Sequence, residues 1–310
     1  MLSLKLSKWT WELFRLLSKV PFRKREQILS YCGPTLLIII VTVWVCSFTV
    51  GFGLFYWPTL GSGIQSSQGQ QPTDLATALY YSGYTLTTLG VGDLVPQNDF
   101  WRLVTILEAA VGFSIITASL TYLLSVYISL TKRNAFALSL YHRAAGQPDA
   151  VALLVRLRGY GQFEPAEQVI STISRDLLFL LESHHNYPIL HYFRFKEVRY
   201  SLARMALISL DLATIIKTAL QPEQYRSLVS SSALAELEGG ALDLLFQITD
   251  SFLDQKNLDQ PQPKQQWRQR YFTAVQKLQY QGIETVADLE AGADAYVAHR
   301  EKWDAQVVGL

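Results

Sequence analysis

The chain has 310 residues, of which 49% are apolar and 17% charged, and its formal net charge is +1 at pH 7. That near-neutral balance excludes a large acidic or basic partner for the chain as a whole, and two cysteines exclude a disulfide framework or a cysteine-rich metal centre. No nucleophile, base and orienting group occur together at a recognisable spacing, so the chain is not read as an enzyme and no organic cofactor is implied.

Residues 1–29 interleave Trp9, Trp11, Leu13, Phe14, Leu16, Leu17 and Val20 with Lys8, Arg15 and Lys19. This pattern predicts an amphipathic helix at the inner membrane surface, its bases toward anionic lipid headgroups. A nucleic-acid arm would suit the charge but not the tryptophans or the adjoining apolar span. From Ser30 to Thr73 there is no charged residue, and Pro34 to Trp57 is almost wholly apolar. That run exceeds the ~20 residues needed to cross ~30 Å of hydrocarbon, so a first spanning helix is predicted at about 34–57. A cleaved signal peptide would begin earlier and be shorter. Cys32 and Cys46 lie in or beside this span, and neither a disulfide nor metal-site spacing is expected of them.

Thr73, after Pro72, reads as the N-cap of a helix over 74–87, with the Asp74 carboxylate at its positive end. Then comes Thr87-Thr88-Leu89-Gly90-Val91-Gly92-Asp93. A K⁺ ion sheds its hydration shell cheaply only where oxygens replace it, and consecutive backbone carbonyls aimed at one axis do so. Gly90 and Gly92, lacking Cβ, take the positive φ that turns alternate peptide planes inward, and Thr88 adds a hydroxyl oxygen. A second spanning helix is predicted at about 103–130, with Glu108 its one ionisable residue. Lys5, Lys8, Arg15, Lys19, Arg23, Lys24 and Arg25 precede the first span, Lys132 and Arg133 follow the second, and no Lys or Arg lies between Arg25 and Arg102. By the positive-inside rule both termini are cytoplasmic, the chain crosses the cell membrane twice, and the intervening loop faces outward and dips back.

With Leu79 to Thr88 (Leu-Tyr-Tyr-Ser-Gly-Tyr-Thr-Leu-Thr-Thr) before it, and Asp93-Leu94-Val95-Pro96 and Trp101-Arg102-Leu103-Val104 after it, this run resembles the pore signature of the tetrameric potassium channels. The resemblance is to their two-transmembrane-helix branch, and it covers about residues 30–130. It implies four copies of the loop around one axis, hence a homotetramer, with K⁺ as the permeant ion and Thr88, Leu89, Gly90, Val91 and Gly92 as the selectivity filter. It also implies that Asp93 accepts a hydrogen bond from the Tyr80 hydroxyl and braces the filter from behind. Val91 stands where relatives carry tyrosine or phenylalanine, which keeps open a poorly selective cation channel. Tyr84 stands where some relatives carry a glutamate, so Asp93 must be braced differently. Gly112 falls at the position of a hinge glycine, the alternative being close packing against the first span. Phe113, Ile116 and Leu120 are implied to line the cavity, and Leu124 and Ile128 to form an apolar gate. Glu108 is expected to bond to the back of the pore loop or act in gating, or else to lie near the interface.

Residues 132–310 carry helical periodicity at Glu164–His185, Phe195–Leu220 and Ala233–Leu253. A Gln/Asp/Pro-rich linker is read at 254–264, before helices over Gln265–Gln281 and Glu284–Val308. The fold class is therefore an all-α membrane protein: two spanning helices, a re-entrant pore helix and filter loop, and an all-α cytoplasmic domain. Gly159-Tyr160-Gly161 lacks the continuation of a dinucleotide-binding fingerprint. The densest polar cluster is His184, His185, Asn186 and His191, together with Asp211. It is a candidate for Zn²⁺ binding or for titration near neutrality, against helix capping or packing. The domain is a regulator of conduction or serves assembly or partner binding only; its ligand is not specified.

Overall fold

The computed structural model describes residues 2–17, 25–67, 69, 72–147, 149–158, 163–252 and 264–309. Lys19, Val20, Arg23, Lys24, Pro148, the Gly159–Gly161 run and nearly all of the predicted linker at 254–264 lie outside them. The chain divides into two units, 1–127 and 128–310.

In the first unit, α1 (Leu2–Leu17) and α2 (Arg25–Ser30) lead into α3 (Cys32–Tyr56). Helix α1 buries Ser7 and Thr10 and exposes Trp9, Leu13, Leu16 and Leu17, so its outward face is apolar. After a 3₁₀ turn comes strand β1 (Ile64–Ser66), then α4 (Leu75–Leu86), strand β2 (Leu94–Pro96) and α5 (Asp99–Arg143). Two stretches, Ile28–Thr59 and Asp99–Arg143, are long and apolar enough to cross a membrane. They expose large apolar side chains such as Ile38, Leu54, Leu103 and Ile106, which water would penalise and lipid would not. Between them Tyr56, Ile64, Ala78, Tyr81, Tyr84 and Leu94 form a small core. Its rings meet edge to face, Tyr56 to Tyr81 at 4.9 Å and Tyr81 to Tyr84 at 5.3 Å.

Three expectations change here. Asp74, not Thr73, caps α4: its Oδ1 accepts from the Thr77 N–H at 2.9 Å and the Thr77 hydroxyl at 2.7 Å. A carboxylate with two donors outcompetes the preceding hydroxyl at the positive helix end. The second spanning helix is longer than 103–130, running without a break from Asp99 to Arg143, since nothing from Lys132 to Arg143 breaks a helix. Strands β1 and β2, which the sequence did not signal, pair antiparallel with Ile64 opposite Pro96 and Ser66 opposite Leu94.

The second unit contains the end of α5, then α6 (Ala150–Leu157), α7 (Glu164–Asn186), α8 (Leu202–Ala219), α9 (Arg226–Val229), α10 (Ser232–Phe252), α11 (Lys264–Tyr280), α12 (Leu289–Arg300) and α13 (Asp304–Gly309). Among the described residues the one sheet is the β1–β2 ribbon, so the chain is all-α. Helix α8 is the spine, burying 13 of its 18 residues. The helix expected over Phe195–Leu220 starts only at Leu202, because the segment before it is held otherwise: Arg133 donates to the Leu190 carbonyl at 3.1 Å and the Phe193 carbonyl at 3.0 Å. The helix expected over Glu284–Val308 is broken twice. Val286 N–H bonds the Ala219 carbonyl at 3.0 Å, Asp288 caps α12 through the Ala291 N–H at 3.0 Å, and Glu301–Trp303 form a turn.

Candidate functional site

Helix α4 ends at Leu86, and the residues after it are sewn to its last turn. Thr88 N–H bonds the Thr85 carbonyl at 2.9 Å, while Leu89 N–H (2.9 Å) and Gly90 N–H (3.4 Å) share the Tyr84 carbonyl. The backbone then alternates: φ is +58° at Thr88, +61° at Gly90 and +80° at Gly92, with Leu89 and Val91 on the ordinary side. Glycine adopts this freely; at Thr88 it is strained, of order 1–3 kcal/mol. Among the described residues no donor reaches the carbonyl oxygens of Thr88, Leu89, Gly90 or Val91. All of Thr88 to Gly92 is exposed in the single chain, with Leu89 72% and Val91 51% accessible. A row of unshared carbonyls in alternating conformation at the negative end of a helix is suited to cations.

The strand is braced by more than the expected Tyr80–Asp93 pair. The Asp93 carboxylate is near enough to act on the Tyr80 hydroxyl, but its short bond is to the Leu94 N–H at 3.0 Å. The firm buried bond comes from Tyr84, whose hydroxyl reaches past Asp93 and donates to the Leu94 carbonyl at 2.8 Å. On the opposite strand Ser67 donates to the Gly92 carbonyl at 3.1 Å and the Asp93 carbonyl at 3.2 Å. Ser67 had no sequence signal, lying in a Ser/Gln-rich run.

Glu108 is fully buried. Its Oε1 accepts from the Ser82 hydroxyl of α4 at 2.5 Å, and the Tyr56 hydroxyl lies beside it. Tyr81 and Thr105 hydroxyls join at 2.7 Å in the same layer. A carboxylate in an apolar span must face protein, and here it ties α5 to the back of α4. Gly112 is a contact glycine whose neighbour is not the first span: a Cβ there would lie 1.8 Å from the Leu86 carbonyl oxygen. Phe113, Ile116, Leu120 and Leu124, followed by Ile128, recur every three or four residues along α5 and are each about half or more exposed.

The histidine cluster separates. His184 and His191 face each other with Nδ1 atoms 3.1 Å apart, His185 lies near Gln247, and Asp211 belongs to another site. There it accepts from Tyr296 (2.6 Å), Arg270 (2.6 Å) and Arg300 (3.4 Å). Among the described residues no group of three or more His, Cys, Asp or Glu converges to hold a metal. Burial, each other and the Arg133 guanidinium hold His184 well below the usual imidazole range, and burial with Arg133 pushes His191 down to about 4. The pair stays neutral across the physiological range, which removes titration near neutrality. An unfolded histidine takes a proton near pH 6.5, which folded His191 refuses until about 4. Stability is thus full above pH 6.5 and is expected to fall between 6.5 and 4, by up to about 3 kcal/mol from His191. Thermal unfolding at several pH values checks this; His191→Gln should flatten that limb.

Residues 39–129 match the model of a family described as ion channel. The uncharacterized membrane protein YdjJ of Bacillus subtilis (strain 168) is 32% identical over 224 residues, covering 71% of this chain and 62% of that protein. The chain therefore spans about three fifths of that relative's length, and the likeness extends beyond 39–129. No solved structure matches the chain. With two helices of membrane-spanning length flanking a short helix and a strand of unshared carbonyls, the chain is a membrane protein whose residues 39–129 match that ion-channel family.

Proposed function

We propose that the protein is a homotetrameric potassium channel of the cell membrane, with both termini cytoplasmic and the loop between α3 and α5 re-entering from outside. The observation that carries this reading is the run Thr88–Val91, whose carbonyls lack donors among the described residues while φ alternates in sign. One chain leaves that strand exposed. Irregular backbone at membrane depth is tolerated only when protein surrounds it or water reaches it, so symmetric copies complete the site. The exposed apolar face of α5 then lines the inner cavity from Phe113 to Leu124, and Ile128 with Leu124 narrows it. The basic residues before α3, and Lys132 and Arg133 in the last part of α5, set the orientation. The outward apolar face of α1, with Trp9 and Leu13, lies in the lipid interface. Conduction is passive, no organic cofactor is needed, and the helical unit 128–310 regulates the pore.

The test is the reversal potential of the full-length protein in lipid bilayers with K⁺ on one side and Na⁺ on the other. A value near the K⁺ equilibrium potential is expected. Val91, exposed and without a ring to brace the filter, favours the second reading, a poorly selective cation pore, which predicts a value near zero with clear current.

A further inference from the structure

We infer that Ser67, on the outer loop and far from the filter in sequence, is a positioning residue that sets ion discrimination by withdrawing the Gly92 carbonyl from the permeating ion. The inference rests on the filter reading above. Five residues, Thr88 to Gly92, form the ion-facing strand of that reading, yet their carbonyls are not equivalent. Those of Thr88, Leu89, Gly90 and Val91 meet no donor among the described residues, whereas the Gly92 carbonyl accepts the Ser67 hydroxyl at 3.1 Å. The next carbonyl, of Asp93, accepts the Ser67 N–H at 2.8 Å and lies 3.2 Å from the Ser67 hydroxyl, whose single proton it shares with the Gly92 carbonyl.

Ser67 is held in place by what precedes it. It continues strand β1 directly past Ser66, which pairs with Leu94. Leu94 is fixed in turn by the buried Tyr84 hydroxyl on its carbonyl. The donor therefore sits on a two-stranded ribbon anchored to α4, and Gly92, at φ +80°, has the freedom to turn its carbonyl toward it. A carbonyl engaged by a hydroxyl is fixed in direction and shares its negative lobe, so it competes poorly for a cation. The outer end of the filter thus presents one carbonyl ring fewer than its length provides. With valine at position 91, no aromatic ring braces this end, and the direction of the Gly92 carbonyl is set by the serine hydroxyl.

The experiment compares full-length wild type, Ser67→Ala and Ser67→Thr in bilayers, reading the K⁺ over Na⁺ permeability ratio from bi-ionic reversal potentials. Ser67→Ala removes the hydroxyl but keeps the backbone bond to Asp93, and the oligomer size should be unchanged. Its permeability ratio is expected to rise about five-fold, the worth of one hydrogen bond. Ser67→Thr, which restores the hydroxyl, should stay within about two-fold of wild type by the same measure. A Ser67→Ala ratio equal to or below that of wild type overturns the inference and leaves the filter reading standing. A wild-type protein that carries no cation current overturns both.

Discussion

Gly112→Ala is expected to abolish cation current. The added Cβ would stand 1.8 Å from the Leu86 carbonyl oxygen, 2.7 Å from its carbon and 3.0 Å from its Cα. These are backbone atoms, and no side-chain rotation relieves them. Overpacking of this kind costs about 1–3 kcal/mol even where side chains yield; here α5 or the end of α4 must shift. The end of α4 is the worse place to shift, because Thr85 and Tyr84 carry the bonds that position Thr88, Leu89 and Gly90. Ion flux into liposomes is the readout, and wild-type flux in the variant would show that α5 and α4 separate without consequence. Gly83→Ala is the matched control. A Cβ there meets only the Thr49 methyl at 3.8 Å, so flux should be kept while α4 gains about 1 kcal/mol of helix propensity.

The second large effect is expected in the helical unit, where Asp211→Ala should lower stability by about 3–5 kcal/mol, the usual result of removing one partner from a buried charge cluster. The Asp211 side chain is 1% exposed and joins α8 to α11 through Arg270 and to α12 through Tyr296 and Arg300. Arg300, itself 7% exposed at its side chain, would retain Asp304, to which Nε donates at 2.9 Å, and the Trp303 ring 4.8 Å away. It would still lose its second carboxylate. For a unit of this size the melting temperature should drop by roughly 10 °C, read by thermal unfolding of the full-length protein. Asp211→Asn, which keeps an acceptor for Tyr296, should fall between the two. An unchanged melting temperature in Asp211→Ala would mean that the cluster's desolvation already cancels its attraction.

The pore unit was largely legible because ion and membrane chemistry constrain it locally. Twenty-odd apolar residues in a row and a Gly-x-Gly beside threonines carry their meaning in the order of residues. What escaped depends on partners distant in sequence. Ser82 and Glu108 meet across 26 positions and Ser67 and Gly92 across 25, and neither serine differs in pattern from any other. The same cause misplaced a helix start: Phe195 lies in an apolar-periodic run, but Arg133 satisfies the Leu190 and Phe193 carbonyls from about 60 residues away. Asp211 was grouped with His184 because their helices follow each other, yet α8 turns that carboxylate toward α11 and α12 instead. Gly112 was recognised as special, but whether it bends or packs depends on Leu86, whose position no periodicity states.

The placement of Asp211 also bears on how the helical unit comes into being. Its buried partners Tyr296 and Arg300 follow it by 85 and 89 positions. Arg270, the nearer guanidinium, follows by 59 positions, so at translation rates of about 5–20 residues per second the carboxylate exists for roughly 3–12 s before its first cation and roughly 5–20 s before Arg300. During that interval α8 offers a polar, unmatched seam, and α6, α7 and α10 can assemble around it only as an open intermediate. Closure belongs to the last helices made, so a ribosome stalled before α11 holds a unit whose spine carries a carboxylate with none of its cationic partners.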